Sequence, residues 1–315
     1  MSQIPMNAYT GGGNNRHITF EDIDQQYRLK IRGFIGLCMP AIFKGLEQDL
    51  DLDGLRADGT VPIMYYLTFE ASPNHLAFKG RIDTEHAVRL CHSVQPNPKD
   101  ASGPPIERML VDMHIDIRAQ SASYDPHALG GGAINEETVP AGRMRGVHVL
   151  TRPTAPAGQR GVSEVPRQLR DLKVHPWTEP YPSAEGLQEV PDGFQAVDAG
   201  PWREQRSVWG LNNTDINQHV NVHEYIINIE NHLARVLHGA DLSVPEHRVE
   251  RTDILFRKPA FMGDVHEMRG DLYTRGEQTL FLGGFYAIDA DGRAEARPSV
   301  FARMTGTLSN DVAGI

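Results

Sequence analysis

Apolar positions along the chain form two stretches with helical spacing, set among runs that alternate like strands. Phe34, Cys38 and Ile42 lie four apart, as do Ile35, Met39 and, one turn on, Phe43, which gives a single apolar stripe and predicts a helix. Pro40 inside it predicts a kink or a division into two helices, because proline removes a backbone donor and crowds the preceding turn. A polar loop with Asp51, Asp53, Gly54, Asp58 and Gly59 follows. Strands are expected at Ile63–Phe69, Leu76–Ile82, Met109–Arg118 and Met144–Leu150. The third alternates Met113, Ile115 and Ile117 against His114, Asp116 and Arg118. Prolines between 96 and 105 and three glycines at 130–132 mark the loops between them. Glycines and asparagines at 11–15 predict a flexible leader over residues 1–16.

From Thr151 to Pro201 prolines are too dense for regular elements, apart from a short helix at Arg167–Leu172, and this stretch reads as a connector. The last third is clearer. Val222, Tyr225, Ile226, Ile229, Leu233, Val236 and Leu237 follow helical spacing, with Gly239 placed as a C-terminal cap. Strands are expected at Val249–Phe256, Val265–Thr274, Thr279–Ile288 and Val300–Leu308, with turns at Arg275-Gly276 and at 289–292. One apolar-faced helix followed by an antiparallel meander predicts an α+β fold in which the sheet wraps the helix. The first half has the same element order but no residue-level repeat, so two similarly built halves are expected.

Composition narrows the function. The chain has 315 residues with 41 acidic and 31 basic side chains, a net charge of −10. At roughly 150 residues per domain this is two domains or one large one. An acidic balance argues against binding nucleic acid or an anionic membrane. Two cysteines, Cys38 and Cys91, cannot build a disulfide framework. The longest apolar run, Gly33–Phe43, is too short to span a bilayer, and the start lacks a basic segment followed by an apolar one, so a cytoplasmic location is expected.

The densest polar cluster, Asn212 to Asn221, lies directly before the second helix. Asp215, Asn217 and His219 occupy alternate positions and can project to one side of an extended lead-in. The helix N-terminus beyond them offers backbone N–H groups and a partial positive charge that suit a developing oxyanion. A base, an amide and a proton carrier would then surround one acyl carbon. The alternative is plain helix initiation: Asn221 with Glu224 three residues on fits a capping box.

Trp209 followed by Asp215-x-Asn217-x-His219-Val220-Asn221 and Tyr225-Ile226 resembles the second hotdog domain of acyl-ACP thioesterases, and more loosely the hotdog acyl-CoA thioesterases. Pro166-Arg167-Gln168-Leu169-Arg170-Asp171 is similar to the segment linking that family's two hotdogs. The resemblance implies a tandem (double) hotdog: residues 17–175 a divergent first domain, 176–200 a linker and 201–315 a second domain carrying the motif. It implies thioester hydrolysis with Asp215, Asn217 and His219 catalytic, and Asn221, Tyr225, Trp209, Arg257 and Lys258 on the substrate side. The acyl group would lie along the apolar side of the second helix. The substrate would be an acyl-CoA or an acyl carrier protein conjugate, with no metal or organic cofactor, in a monomer of tandem domains or a homo-oligomer. One departure stands out: where the family carries an acid after an aromatic and two basic residues, Phe256-Arg257-Lys258 is followed here by Pro259-Ala260. Asp215 and His219 alone, or Glu250, Asp253 or Asp264, would have to serve, or hydrolysis has been lost.

Other patterns are plainer. His219 and His223 lie four apart, but no third ligand is indicated. No Gly-x-Ser-x-Gly elbow occurs. Cys91 beside His92 invites a nucleophile reading, yet both cysteines read more simply as packed. Arg248, Arg251, Arg257, Lys258 and Arg269 form either a solvated strand edge or a docking patch for CoA phosphate or an acidic carrier. Beside the thioesterase stand two alternatives, a non-catalytic acyl-thioester-binding protein and a dehydratase on the same thioesters.

Overall fold

The computed structural model describes residues 9–11, 16–18, 22–23, 29–44, 47, 50–72, 77–96, 102–122, 134–156, 158–214 and 219–308. The chain forms two compact units, one of residues 1–19, 37–67 and 76–181, the other of 20–36, 68–75 and 182–315.

The first unit is built on β1 (Tyr9–Gly11), β2 (Arg16–His17), the C-terminal part of α1 (Ile31–Lys44), α2 (Leu52–Ala57), β3 (Val61–Ala71), β4 (Ala77–Gln95), β5 (Ile106–Ala122), β6 (Ile134–Thr151) and β7 (Val174–Pro176). Its strands run in the order β1-β4-β5-β6-β3, and β2 and β7 also pair with β4, β7 in parallel. The alternation expected in β5 holds: Met109, Met113, Ile115 and Ile117 are at most 1% exposed. Strand β4 is far longer than expected. Ile82, Thr84, His86, Val88 and Leu90 are buried at every second position, so the period continues although two of the inward residues are polar. Helix α1 runs unbroken across Pro40 and is not divided there. Phe34, Ile35, Cys38 and Ile42, buried on either side of the proline, outweigh the one lost hydrogen bond.

The second unit holds α3 (Ala184–Leu187), β8 (Gln195–Val197), β9 (Glu204–Val208), α4 (Val222–Gly239), β10 (His247–Phe256), β11 (Val265–Arg275), β12 (Gln278–Ala287) and β13 (Val300–Leu308). The order is β10-β13-β12-β11-β8, with β9 also on β11. All four late strands lie within two residues of their expected bounds. The β11–β12 hairpin closes on Gly276, whose φ of 58° is the left-handed backbone that such a turn needs. Helix α4 packs Tyr225, Ile226, Ile229, Leu233, Val236 and Leu237 inward. Gly239 is its last residue and not the cap expected of it; Ala240 caps instead. A Cβ at 239 would stand 2.6 Å from the Ala199 carbonyl oxygen and 2.6 Å from the Trp202 ring, so glycine is there for close approach. The proline-dense stretch has a 3-10 turn at Arg167–Leu169 where a longer helix was expected, and it also carries β7, α3 and β8, short elements fitted between the prolines that were expected to exclude them. No helix among the described residues is long and apolar enough to cross a membrane.

Candidate active site

Residues 209–214 and 219–221 lead to the N-terminus of α4 as two legs that are tied together. Thr214 and Val220 face each other in an antiparallel bridge, and the Asn221 N–H donates to the Asn213 carbonyl oxygen (2.8 Å). Asp215 and Asn217, between those legs, lie outside the described residues. His219 is exposed and bridges Phe261, its ring 5.3 Å from the phenyl ring. The Val220 N–H donates to the Ala260 carbonyl oxygen (2.9 Å). The Pro259-Ala260 pair that replaces the expected acid therefore lies against the histidine lead-in as a backbone rail.

Three acids were open as substitutes. Asp253 is buried in a two-pronged pair with Arg251, at 2.7 and 2.8 Å, which commits both its oxygens. Glu250 sits exposed on β10, accepting from Thr307. Asp264 lies in the turn that begins at Phe261, His219's bridge partner, and its carboxylate accepts the Phe261 N–H at 2.8 Å. Of the three, only Asp264 belongs to the segment that pairs with His219.

The helix start is strongly capped. The Asn221 side-chain oxygen accepts the His223 N–H (2.9 Å), and its carbonyl accepts from Glu224 (3.0 Å) and Tyr225 (3.4 Å). Three amides of the first turn are thus already satisfied, so the helix-initiation role of Asn221 is real. The expected capping box does not form: the Asn221 side chain takes the His223 N–H in place of that of Glu224, and Glu224 accepts from the Asn213 side chain at 2.6 Å.

Trp209 and Tyr225 are core residues, 2% and 3% exposed. Trp209 stacks on His266 with centroids 4.1 Å apart and 20° between planes, and meets Tyr225 edge-on at 5.1 Å. Phe285 touches all three rings. Burial pushes the Tyr225 hydroxyl up, although the Ala260 N–H donates to it, and burial pushes the His266 imidazole down to about 4. Both stay neutral at pH 7. The α4 face expected to take an acyl chain is buried. Ile226, Ile229, Leu233, Val236 and Leu237 are at most 4% exposed, and so are Phe281, Phe285 and Met304 among the strand residues.

Arg257 and Lys258 are tethered to the connection between β12 and β13. Arg257 donates to the carbonyl oxygens of Pro298 (2.8 Å) and Arg297 (2.9 Å), and Lys258 to the Glu295 carboxylate (2.7 and 2.8 Å). Arg251 and Arg269 are likewise ion-paired, to Glu70 and Asp253 and to Glu267, while Arg248 donates to the Ser72 carbonyl. Their charge is largely compensated within the unit, which favours the strand-edge reading. Both cysteines are buried, and burial raises the thiol pKa of each, to about 11 for Cys91, so neither supplies a thiolate at neutral pH. Among the described residues no group of three or more His, Cys, Asp or Glu side chains could hold a metal ion.

No protein-family model and no curated protein matches this chain. Solved structures do. It is similar to a protein assigned as an oleoyl thioesterase from Lactobacillus plantarum, at 12% identity and a TM-score of 0.63 over 96% of this chain and 98% of that one. It is similar to an acyl-ACP thioesterase from Bacteroides thetaiotaomicron, at 14% identity and TM-score 0.55 over 94% and 97% of the two chains. The 12:0-ACP thioesterase of Umbellularia californica gives 10% identity and TM-score 0.58 over 95% and 94%. At these identities the likeness is one of fold, and it runs through nearly the whole of each chain. The resemblance implied by the Asp-x-Asn-x-His motif is met at the level of fold.

Proposed function

Because this chain has the fold of the acyl-ACP thioesterases, we propose that it hydrolyses an acyl thioester carried on coenzyme A or on an acyl carrier protein. The tandem reading belongs with this proposal: a first hotdog over 17–175, a linker over 176–200 and a second hotdog over 201–315, within one chain or a homo-oligomer of it. Water, deprotonated by Asp215 or His219, attacks the carbonyl carbon. The tetrahedral intermediate collapses with cleavage of the C–S bond, and the thiol leaves with a proton passed on by His219. Asn217 holds the carbonyl oxygen, since the first-turn amides of 223–225 already serve the Asn221 cap. Asp264, in the turn against His219, orients the imidazole in place of the acid that Pro259-Ala260 lacks.

The observation that carries this reading is the placement of His219: exposed, at the start of α4, on the motif-bearing loop of a thioesterase fold. Thiol release from a panel of acyl-CoA and acyl-ACP substrates tests it. Wild-type protein is expected to release thiol, and Asp215→Asn and His219→Ala each to lose about 100-fold or more in kcat/KM. Either variant retaining full activity ends the assignment. A second reading, an acyl-thioester-binding protein without catalysis, is favoured by one observation, the proline and alanine where the family acid is expected. Tight binding of an acyl-CoA with no thiol released is the result that would select it.

A further inference from the structure

The geometry points to Asn213 and Glu224 as a paired clamp that positions His219, a role that rests on the thioesterase reading above. Asn213 is half-buried at the entry to the loop and makes three contacts at once. Its side-chain oxygen accepts the Gly210 N–H (2.6 Å), its side-chain nitrogen donates to the Glu224 carboxylate (2.6 Å), and its carbonyl oxygen accepts the Asn221 N–H (2.8 Å). It therefore holds the incoming leg, the outgoing leg and the first turn of α4 together.

The amide is the one side chain of this size that fits. Flipped, it would set its NH2 against the Gly210 N–H and its oxygen against a carboxylate, so the orientation is fixed by chemistry. Across the loop, Val220 is hydrogen-bonded to Ala260 and His219 bridges Phe261. The backbone at 219–221 thus lies between Ala260-Phe261 on one side and Asn213-Thr214, which the Asn213–Glu224 pair ties to α4, on the other. Neither clamp residue need touch the reacting atoms. They act by fixing where the imidazole stands, and small misplacements of a catalytic group are costly.

A charge-and-rescue cycle tests this. Asn213→Asp keeps shape and the acceptor for Gly210 but sets two carboxylates face to face. The Asn213→Asp/Glu224→Gln pair restores one donor and one acceptor with the roles exchanged. Asn213→Asp is expected to lower kcat about 10- to 100-fold with KM within about twofold. It should also speed amide hydrogen exchange at 219–221 about tenfold while amides in the middle of α4 stay as protected as before. The double variant is expected to recover both readouts to within about threefold of wild type. Glu224→Ala, which keeps helix propensity and removes only the acceptor, should lose kcat in the same direction and covers the case in which Asn213→Asp does not fold. The clamp is overturned if kcat is unchanged in the single variants, or if the double variant fails to recover. It is equally overturned if the loss tracks melting temperature and mid-helix exchange. Wild-type protein inert towards every thioester would bring down the hydrolytic reading and the catalytic role of the clamp with it, while the exchange data would still report whether the pair holds the loop.

Discussion

Asp112 has no exposed surface, yet it carries a charge. Burial alone would raise its pKa; hydrogen bonds and charge from His114 and Arg145 overcome that and hold the carboxyl well below the usual range. Arg145 grips it with two nitrogens, at 2.7 and 3.1 Å, His114 reaches it at 3.1 Å, and Arg89 completes the group. Arg145 also reaches out to Glu179 (2.6 Å) and lies 5.1 Å from the Trp177 ring centre, so the segment after β7 is fastened onto this face of the sheet. Asn at position 112 would leave Arg89 without its counter-charge and Arg145 with only the more exposed Glu179, each arginine being only 20% exposed. Asp112→Asn is therefore expected to cost about 3–5 kcal/mol, as broken buried pairs do. Asp291→Asn, which breaks an exposed pair with Arg293, should cost under about 1 kcal/mol. Urea unfolding measures both, and near-equal costs would show that the buried network is not what fastens this segment.

At the scale of elements, Gly239 sets two effects against each other. Alanine is worth about 1 kcal/mol over glycine inside a helix. Here its Cβ would lie 2.6 Å from both the Ala199 carbonyl and the Trp202 ring, and that carbonyl accepts the Trp202 N–H. Backbone cannot yield as a flexible side chain can, and overpacking costs about 1–3 kcal/mol. Gly239→Ala is expected to lower stability, and a rise in melting temperature would mean that the 199–202 turn moves aside freely. The same glycine shows why elements are more legible than their ends. A 3.6-residue apolar period located α4, and strand-type apolar runs between turn residues located β10 to β13, whose buried stretches the residues themselves spell out. Gly239, read as a cap, serves a contact 40 residues back in the chain, which no local pattern carries. Strand β4 was half hidden for a related reason: Thr84 and His86 sit at inward positions and erase the alternation. At the candidate site, residue identities announced the cluster, but not that Asn213 would take Glu224 away from the capping box.

At the scale of the whole molecule, stability against pH is set by groups that the two units bury in different charge states. Burial pushes His148, His232 and His266 each down to about 4 from an ordinary 6.5. Between those values the unfolded chain binds protons that the folded chain refuses, so these three make stability rise with pH and fall as acid is added. Glu230 acts in the opposite sense. On α4 it accepts the backbone N–H groups of Ile31 (2.8 Å) and Arg32 (3.4 Å), supplying a cap for α1, which has no acid in its own first turn. Burial nevertheless pushes it up to about 7 from 4.5. The folded chain then holds a proton across that window which the unfolded chain has released, and Glu230's contribution is lost as pH rises through 7. Near pH 5.5 the three histidines, joined by His175, which is also shifted down, outweigh Glu230, so among these groups stability increases with pH. Replacing Glu230 by Gln keeps an acceptor for α1 and removes the ionisation. Near pH 5 the protonated acid and the amide are nearly equivalent, so little change is expected. At pH 8 the variant is expected to be more stable by on the order of 1–2 kcal/mol, a figure discounted for the partial exposure of the side chain. The competing effect is attraction between the carboxylate and the positive end of α1, worth about 0.3–1 kcal/mol and up to 2 in a partly buried setting. Urea midpoints of wild type and Glu230→Gln at the two pH values decide which prevails. A variant less stable than wild type at pH 8 would mean that the helix dipole outweighs desolvation, and that α4 holds α1 by charge.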